Sequence, residues 1–216
     1  MNRGIEWGRV TQQHDNIIIV CGGRSLSKFD FSLIKDLGTI IVVNTSFTVV
    51  PFADYWFTLD ITGVQQPTSS NFSGKLYAAV PQTYGTQNQV VTKNITYLHR
   101  LISHNDPTIS SESAYVTGLS EDNGCINTGN SGFGAFGLAY HMKPKKILIL
   151  GMDGDIGYHY TDTRKNRPLT YLPLLMNSTV AQINKANIKV INGSINSSIT
   201  AYPKYCLSEA LGEFSK

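Results

Sequence analysis

The stretch "GNSGFGAFGLAYHMKPKKILILGMDGD", residues 129–155, decides the fold. A glycine-rich opening leads into an apolar run at helical spacing, then into a short aliphatic strand that ends on two acids one glycine apart. Residues 131–142 read as a helix and "KKILILG" as a central strand buried on both faces. In an open α/β sheet, ligands bind outside the carboxyl ends of the strands, so Asp153 and Asp155 would stand at a site. Gly129, Gly132, Gly134 and Gly137 crowd the helix start, although an interior helical glycine costs about 1 kcal/mol relative to alanine. Two compensations offer themselves. One is close packing of the helix on the sheet; the other is approach of a ligand to Asn130, Ser131 and Gly132 at the positive helix end.

Working outward, "NIIIVCGGRSLSKFDFSLIKDLG", residues 16–38, begins as a doubly buried strand and breaks at Gly22 and Gly23. Phe31, Leu33, Ile34 and Leu37 then recur at helical spacing, with Asp30 or Ser32 able to cap and Gly38 closing the helix. "TIIVVN" follows as a second strand and completes a right-handed βαβ unit. "ADYWFTLD", residues 53–60, is a third strand that also ends on an acid. Over residues 61–127 the periodicity fades, and the segment reads as a loop-rich insertion or lid in which "GKLYAAV" and "ITYLHRL" could form short strands. Residues 170–186 read as helical, "IKVING" as a further strand and 204–214 as a closing helix. The expectation is one domain over residues 1–216: α/β, Rossmann-like, with an open, mostly parallel sheet and helices on both faces.

Composition narrows the function classes. Charged residues make up 15% of the chain against about 25% on average, and the net charge of +3 contains no basic block that would mark a nucleic-acid footprint. Cys21, Cys125 and Cys206 stand far apart, without zinc-ligand or disulfide-framework spacing. No apolar run is long enough for a membrane span, so a soluble cytoplasmic protein is expected. A homo-oligomer is compatible with the sequence.

Four constellations carry chemistry. "CGGRS" offers the backbone N–H groups of Gly22, Gly23, Arg24 and Ser25 to an anion, or simply makes a tight turn. If it cradles a phosphate, a valine at Gly23 should abolish nucleotide binding and leave the fold largely intact. Asn44 after the second strand and Asp60 after the third could meet a base or a ribose hydroxyl, or form strand-end turns. Asn130, Ser131 and Gly132 open the glycine-rich helix. "GMDGDIGYHY" places Asp153, Asp155, Tyr158, His159 and Tyr160 after the central strand. There the acids could hold magnesium or a sugar hydroxyl, the tyrosines could donate to a phosphate, and His159 could act as general base. Otherwise Asp153 caps a turn and His159 lies on the surface.

In that order, "IIIVCGGRSLSKFDFSLI", "VVN", "ADYWFTLD" and the 129–155 stretch resemble the Rossmann-like superfamily of bacterial sialyltransferases and 6-hydroxymethylpterin diphosphokinase-like proteins, with its phage-encoded members. The resemblance implies a nucleotide-linked sugar donor, with the glycine turn falling on Gly22 to Ser25 and the donor-contacting asparagine on Asn44. It also implies a donor-binding helix start at Asn130 to Gly132 and a strand-end acid at Asp153. One departure stands out: residues 164–187, where the sialyltransferases carry a catalytic histidine, contain none, so that either His159 takes that role or the acceptor is activated differently. The implied activity is glycosyl transfer from a nucleotide-activated sugar to a hydroxyl. Pyrophosphate transfer from ATP with magnesium, and nucleotide sequestration without chemistry, are the alternatives.

Overall fold

Strand formation follows the β-branched and aromatic runs. The computed structural model describes residues 5–62, 65–82, 84, 92–102, 115–154 and 169–216. Its sheet is built from β1 (Asn16–Val20), β2 (Thr39–Val43), β3 (Tyr55–Thr58), β4 (Lys75–Val80), β5 (Ile95–Leu101), β6 (Cys125–Asn127), β7 (Lys146–Leu150) and β8 (Lys189–Asn192). The eight strands stand in the order β6-β5-β4-β3-β2-β1-β7-β8. Every neighbouring pair runs parallel, so all the carboxyl ends lie along one rim.

The two-residue period of a strand sends alternate side chains to opposite faces, and two cores result. Ile17, Ile19, Ile147 and Ile149 point toward the face covered by α1 (Ser131–His141), α2 (Leu172–Ser178) and α3 (Val180–Lys185). Ile18, Val20, Leu148 and Leu150 point the other way, under Leu26, Ile34, Phe47 and the Ala210 and Phe214 side chains of α4 (Leu207–Ser215). The result is a single Rossmann-like α/β domain with helices on both faces, and a sheet that is parallel throughout.

Three local expectations need correction. The link between β1 and β2 is not an α-helix: it forms short 3-10 turns at Arg24–Leu26 and Phe31–Ile34, and Leu33 is 55% exposed. Asp30 Oδ1 accepts from both the backbone N and the Oγ of Ser32, the local side-chain bonding that competes with helix. Within residues 61–127, the two anticipated strands are β4 and β5, and a third, β6, extends the sheet to its edge. Three residues are too few to show a period. The 170–186 helix breaks at Thr179, whose hydroxyl bonds back to Met176 O at 2.7 Å and meets Tyr202 Oη at 2.6 Å. Such back-bonding bends helices.

Close packing accounts for Gly134 of α1. A Cβ on Gly134 would lie 2.7 Å from Phe57 Cε1 on β3, so only glycine lets the helix approach that ring. After β1 the strands add one by one in one direction to β6, and β7 then returns to the other side of β1. That reversal makes the carboxyl ends of β1 and β7 the topological switch point, outside which ligands bind in this architecture.

Candidate functional site at the carboxyl rim

The turn after β1 and the turn after β7 are tied together. Cys21 N donates to Leu150 O and Gly23 N to Gly151 O, each at 2.8 Å, continuing the sheet register into the turns. Ser25 N then donates to Asp153 Oδ2 at 2.9 Å and Ser25 Oγ to Asp153 Oδ1 at 2.7 Å. The Ser25 and Ser194 hydroxyls pair at 3.0 Å, and Ser198 N donates to Asp153 O, which brings in the loop after β8. Asp153 is buried and bonded through both oxygens, so it fixes the shape of the glycine turn.

Gly23 is needed for space. Its φ is −68°, ordinary for any residue, but a Cβ would fall 2.4 Å from Gly151 O and 2.5 Å from Asp153 Oδ2. The expectation that valine there spares the fold is therefore corrected: the side chain would separate the two turns. Among the described residues, the N–H groups of Gly22 and Arg24 have no bonded acceptor, and the exposed Arg24 has no ion-pair partner. Burial, with the Asp153 carboxylate close by, pushes the Cys21 thiol up to about 12, which makes it packing rather than a nucleophile.

Asn44 sits where β2 ends, with φ +52°, a left-handed conformation that asparagine tolerates. Its backbone O accepts from Trp56 Nε1 at 2.7 Å and its Oδ1 from Thr58 Oγ1 at 2.8 Å. The Thr58 hydroxyl in turn accepts from Asp60 N at 2.9 Å. This chain of bonds fixes the amide so that Nδ2 is its unbonded edge among the described residues. Asp60 is exposed, and its Oδ2 accepts from Ser131 Oγ at 2.9 Å.

The start of α1 lies between the ends of β1 and β3. Ser131 Oγ accepts from Leu59 N at 3.1 Å, and a Cβ on Gly132 would lie 3.1 Å from Cys21 Sγ. Asn130 caps the helix by accepting from Phe133 N at 2.8 Å. The N–H groups of Ser131 and Gly132 have no bonded acceptor among the described residues and stand at the positive helix end. Gly22, Gly23, Arg24, Ser25, Asn44, Asp60, Asn130, Ser131, Gly132 and Asp153 thus share one rim. Asp155, Tyr158, His159 and Tyr160 lie outside the described residues.

Two rim residues escaped the sequence reading. Ser194 follows β8 and touches Ser25; its signal was the polar run "NGSINSS" after a strand. Arg100 is the penultimate residue of β5, a cation closing an otherwise mostly apolar segment. Its Nε donates to Thr128 Oγ1 at 2.6 Å.

Comparison with known proteins supports the architecture. Among solved structures, the MAf glycosyltransferase from Magnetospirillum magneticum AMB-1 superposes with a TM-score of 0.55 at 12% identity, covering 94% of this chain and 37% of that one. At that identity the likeness shows the fold, and this chain spans little more than a third of the neighbour's length. No family model matches, and no curated protein matches. No helix among the described residues is long and apolar enough to cross a membrane.

Proposed function

We propose that this chain is a glycosyltransferase-like enzyme that binds a nucleotide-activated sugar at the β1/β7 switch point and passes the sugar to a hydroxyl. The observation carrying this reading is the convergence, at the switch point, of unbonded backbone donors from two elements: Gly22 and Arg24 from the glycine turn, Ser131 and Gly132 from α1. An anion set there meets preoriented N–H groups and a helix end. The fold shared with a glycosyltransferase supports the same reading.

In this proposal Gly22 and Arg24 take the phosphate, while Gly23, whose N–H is committed to Gly151 O, and Ser25, bonded to Asp153, keep the turn in shape. Asn44 turns its Nδ2 to the base or ribose, and Asp60 accepts from a sugar hydroxyl. Asn130, Ser131 and Gly132 receive the donor at the helix start. Tyr158 and Tyr160 stabilise the departing phosphate, His159 takes the acceptor's proton, and Asp155 assists it. Pyrophosphate transfer from ATP would use Asp153 and Asp155 on magnesium. Both Asp153 oxygens already accept from Ser25, which favours the glycosyl reading.

A thermal-shift panel of nucleotides and nucleotide sugars tests this directly. A ligand that binds only the folded chain adds about 2.7 kcal/mol at a hundredfold excess over Kd. The reading expects a nucleotide sugar to raise Tm and to be turned over on adding a hydroxyl acceptor, with a chelator present. A shift with ATP alone and chelator-sensitive turnover would move the assignment to pyrophosphate transfer; no shift from any nucleotide would remove both.

A further inference from the structure

Four strand spacings, about 19 Å between backbones, separate β5 from β1 in the sheet order, and from there the Arg100 side chain reaches back to Leu59 O, next to Asp60. Its guanidinium is held in a fixed plane: Nε donates to Thr128 Oγ1 at 2.6 Å and Nη1 reaches Leu59 O at 3.4 Å. Thr128 is itself buried.

Among the described residues the guanidinium has no ion-paired carboxylate: Arg100 is half-buried, and none lies within 4.0 Å of it. Asp60 attracts it from beyond ion-pair distance, and that carboxylate also accepts from Ser131 Oγ. Burial lowers the Arg100 pKa, and the attractions of Asp60 and Tyr171 oppose that shift, yet a guanidinium stays charged in any protein. Removing a charge from water without a paired charge is costly, and the Nη2 edge has no bonded acceptor among the described residues. A planar fork pinned on one edge and open on the other matches the two oxygens of a carboxylate or phosphate.

We propose that Arg100, oriented by Thr128, binds an oxyanion of the second substrate, so that the acceptor of the transferred group carries a phosphate or carboxylate. Only the assignment to the second substrate rests on the transferase reading; the anion site itself stands on the Arg100 geometry.

The test follows the Arg100 Nε–H resonance of the full chain, assigned by through-bond correlation from its own backbone. Inorganic phosphate and, separately, acetate are titrated at constant ionic strength. The proposal expects a saturable shift with at least one of them: phosphate alone points to a phosphorylated acceptor, acetate alone to a carboxylated one. In Arg100→Lys, which keeps the charge but loses the fork, the affinity read from the Thr128 amide should fall at least about tenfold. Should that variant not fold, the wild-type titration decides by itself. Shifts that never saturate, or unchanged affinity in Arg100→Lys, would overturn the proposal. A nucleotide that shifts Gly22 while no anion saturates Arg100 would overturn it and leave the transferase reading standing. Saturation at Arg100 with no nucleotide bound anywhere would uphold the anion site and remove the transferase reading instead.

Discussion

Gly23 and Asp153 show how much of the rim depends on single residues. With a Cβ falling 2.4 Å from one backbone oxygen and 2.5 Å from a bonded carboxylate, Gly23→Val should lose stability as well as ligand binding. Overpacking of this kind costs about 1–3 kcal/mol, which a denaturant titration would register as a lower midpoint at unchanged slope. A variant as stable as the wild type would show that the turns separate freely. The proposed base gives a kinetic counterpart. His159→Ala is expected to lower kcat by about 10²–10⁴ with donor affinity held, because general-base removal acts on the transition state. Near-wild-type turnover would take His159 out of the mechanism. Candidate site residues could be found in the sequence because glycines, an asparagine and acids recur where strands end. The roles of Ser25 and Asp153 could not be read there, since residues 25 and 153 meet only across the two central strands.

Among the elements, α1 was the most legible, and its packing is open to test. Gly134→Ala should clash with Phe57, and trimming that ring in the Gly134→Ala/Phe57→Leu pair should recover part of the loss. The double-mutant cycle then shows a coupling of about 0.5–3 kcal/mol, whereas simple additivity would mean that the helix shifts without cost. The last residue of α1 adds a pH dependence. His141 lies buried with Nε2 2.9 Å from Cys125 O, and burial pulls its pKa below the ordinary 6.5 despite the opposing pull of that hydrogen bond, Asp122 and Glu121. The unfolded chain takes up this proton first as pH falls. The associated stability is therefore complete above 6.5 and is lost as pH drops toward the folded value. His14, lowered mainly by burial, carries the same sign. Melting curves between about pH 7 and pH 5 should show Tm falling with pH, less steeply in His141→Gln; an equal slope in that variant would rule out His141 as a source. The 3-10 links and β6 were hard to read for a common reason: each is three to five residues long and held by tertiary partners.

At the scale of the whole molecule, the parallel order could be inferred from the continuous aliphatic runs, because strands buried on both faces read that way. The position of the switch point could not, since nothing local in "KKILILG" says on which side of β1 it will lie. The fold offers two rims. At the amino ends of β1 and β2, a cavity of about 430 Å³ opens among Asp15, Lys35, Asp36, Thr39 and Asp54. The carboxyl rim holds the glycine turn, Asn44 and the start of α1, and it is there that the nucleotide is proposed to bind. An amide correlation map of the labelled chain, recorded with and without the nucleotide sugar that raises Tm most, discriminates between them. The largest shifts are expected at Gly22, Arg24, Asn44, Ser131 and Gly132; shifts centred on Lys35, Asp36 and Asp54 with the carboxyl rim unmoved would contradict nucleotide binding at the carboxyl ends.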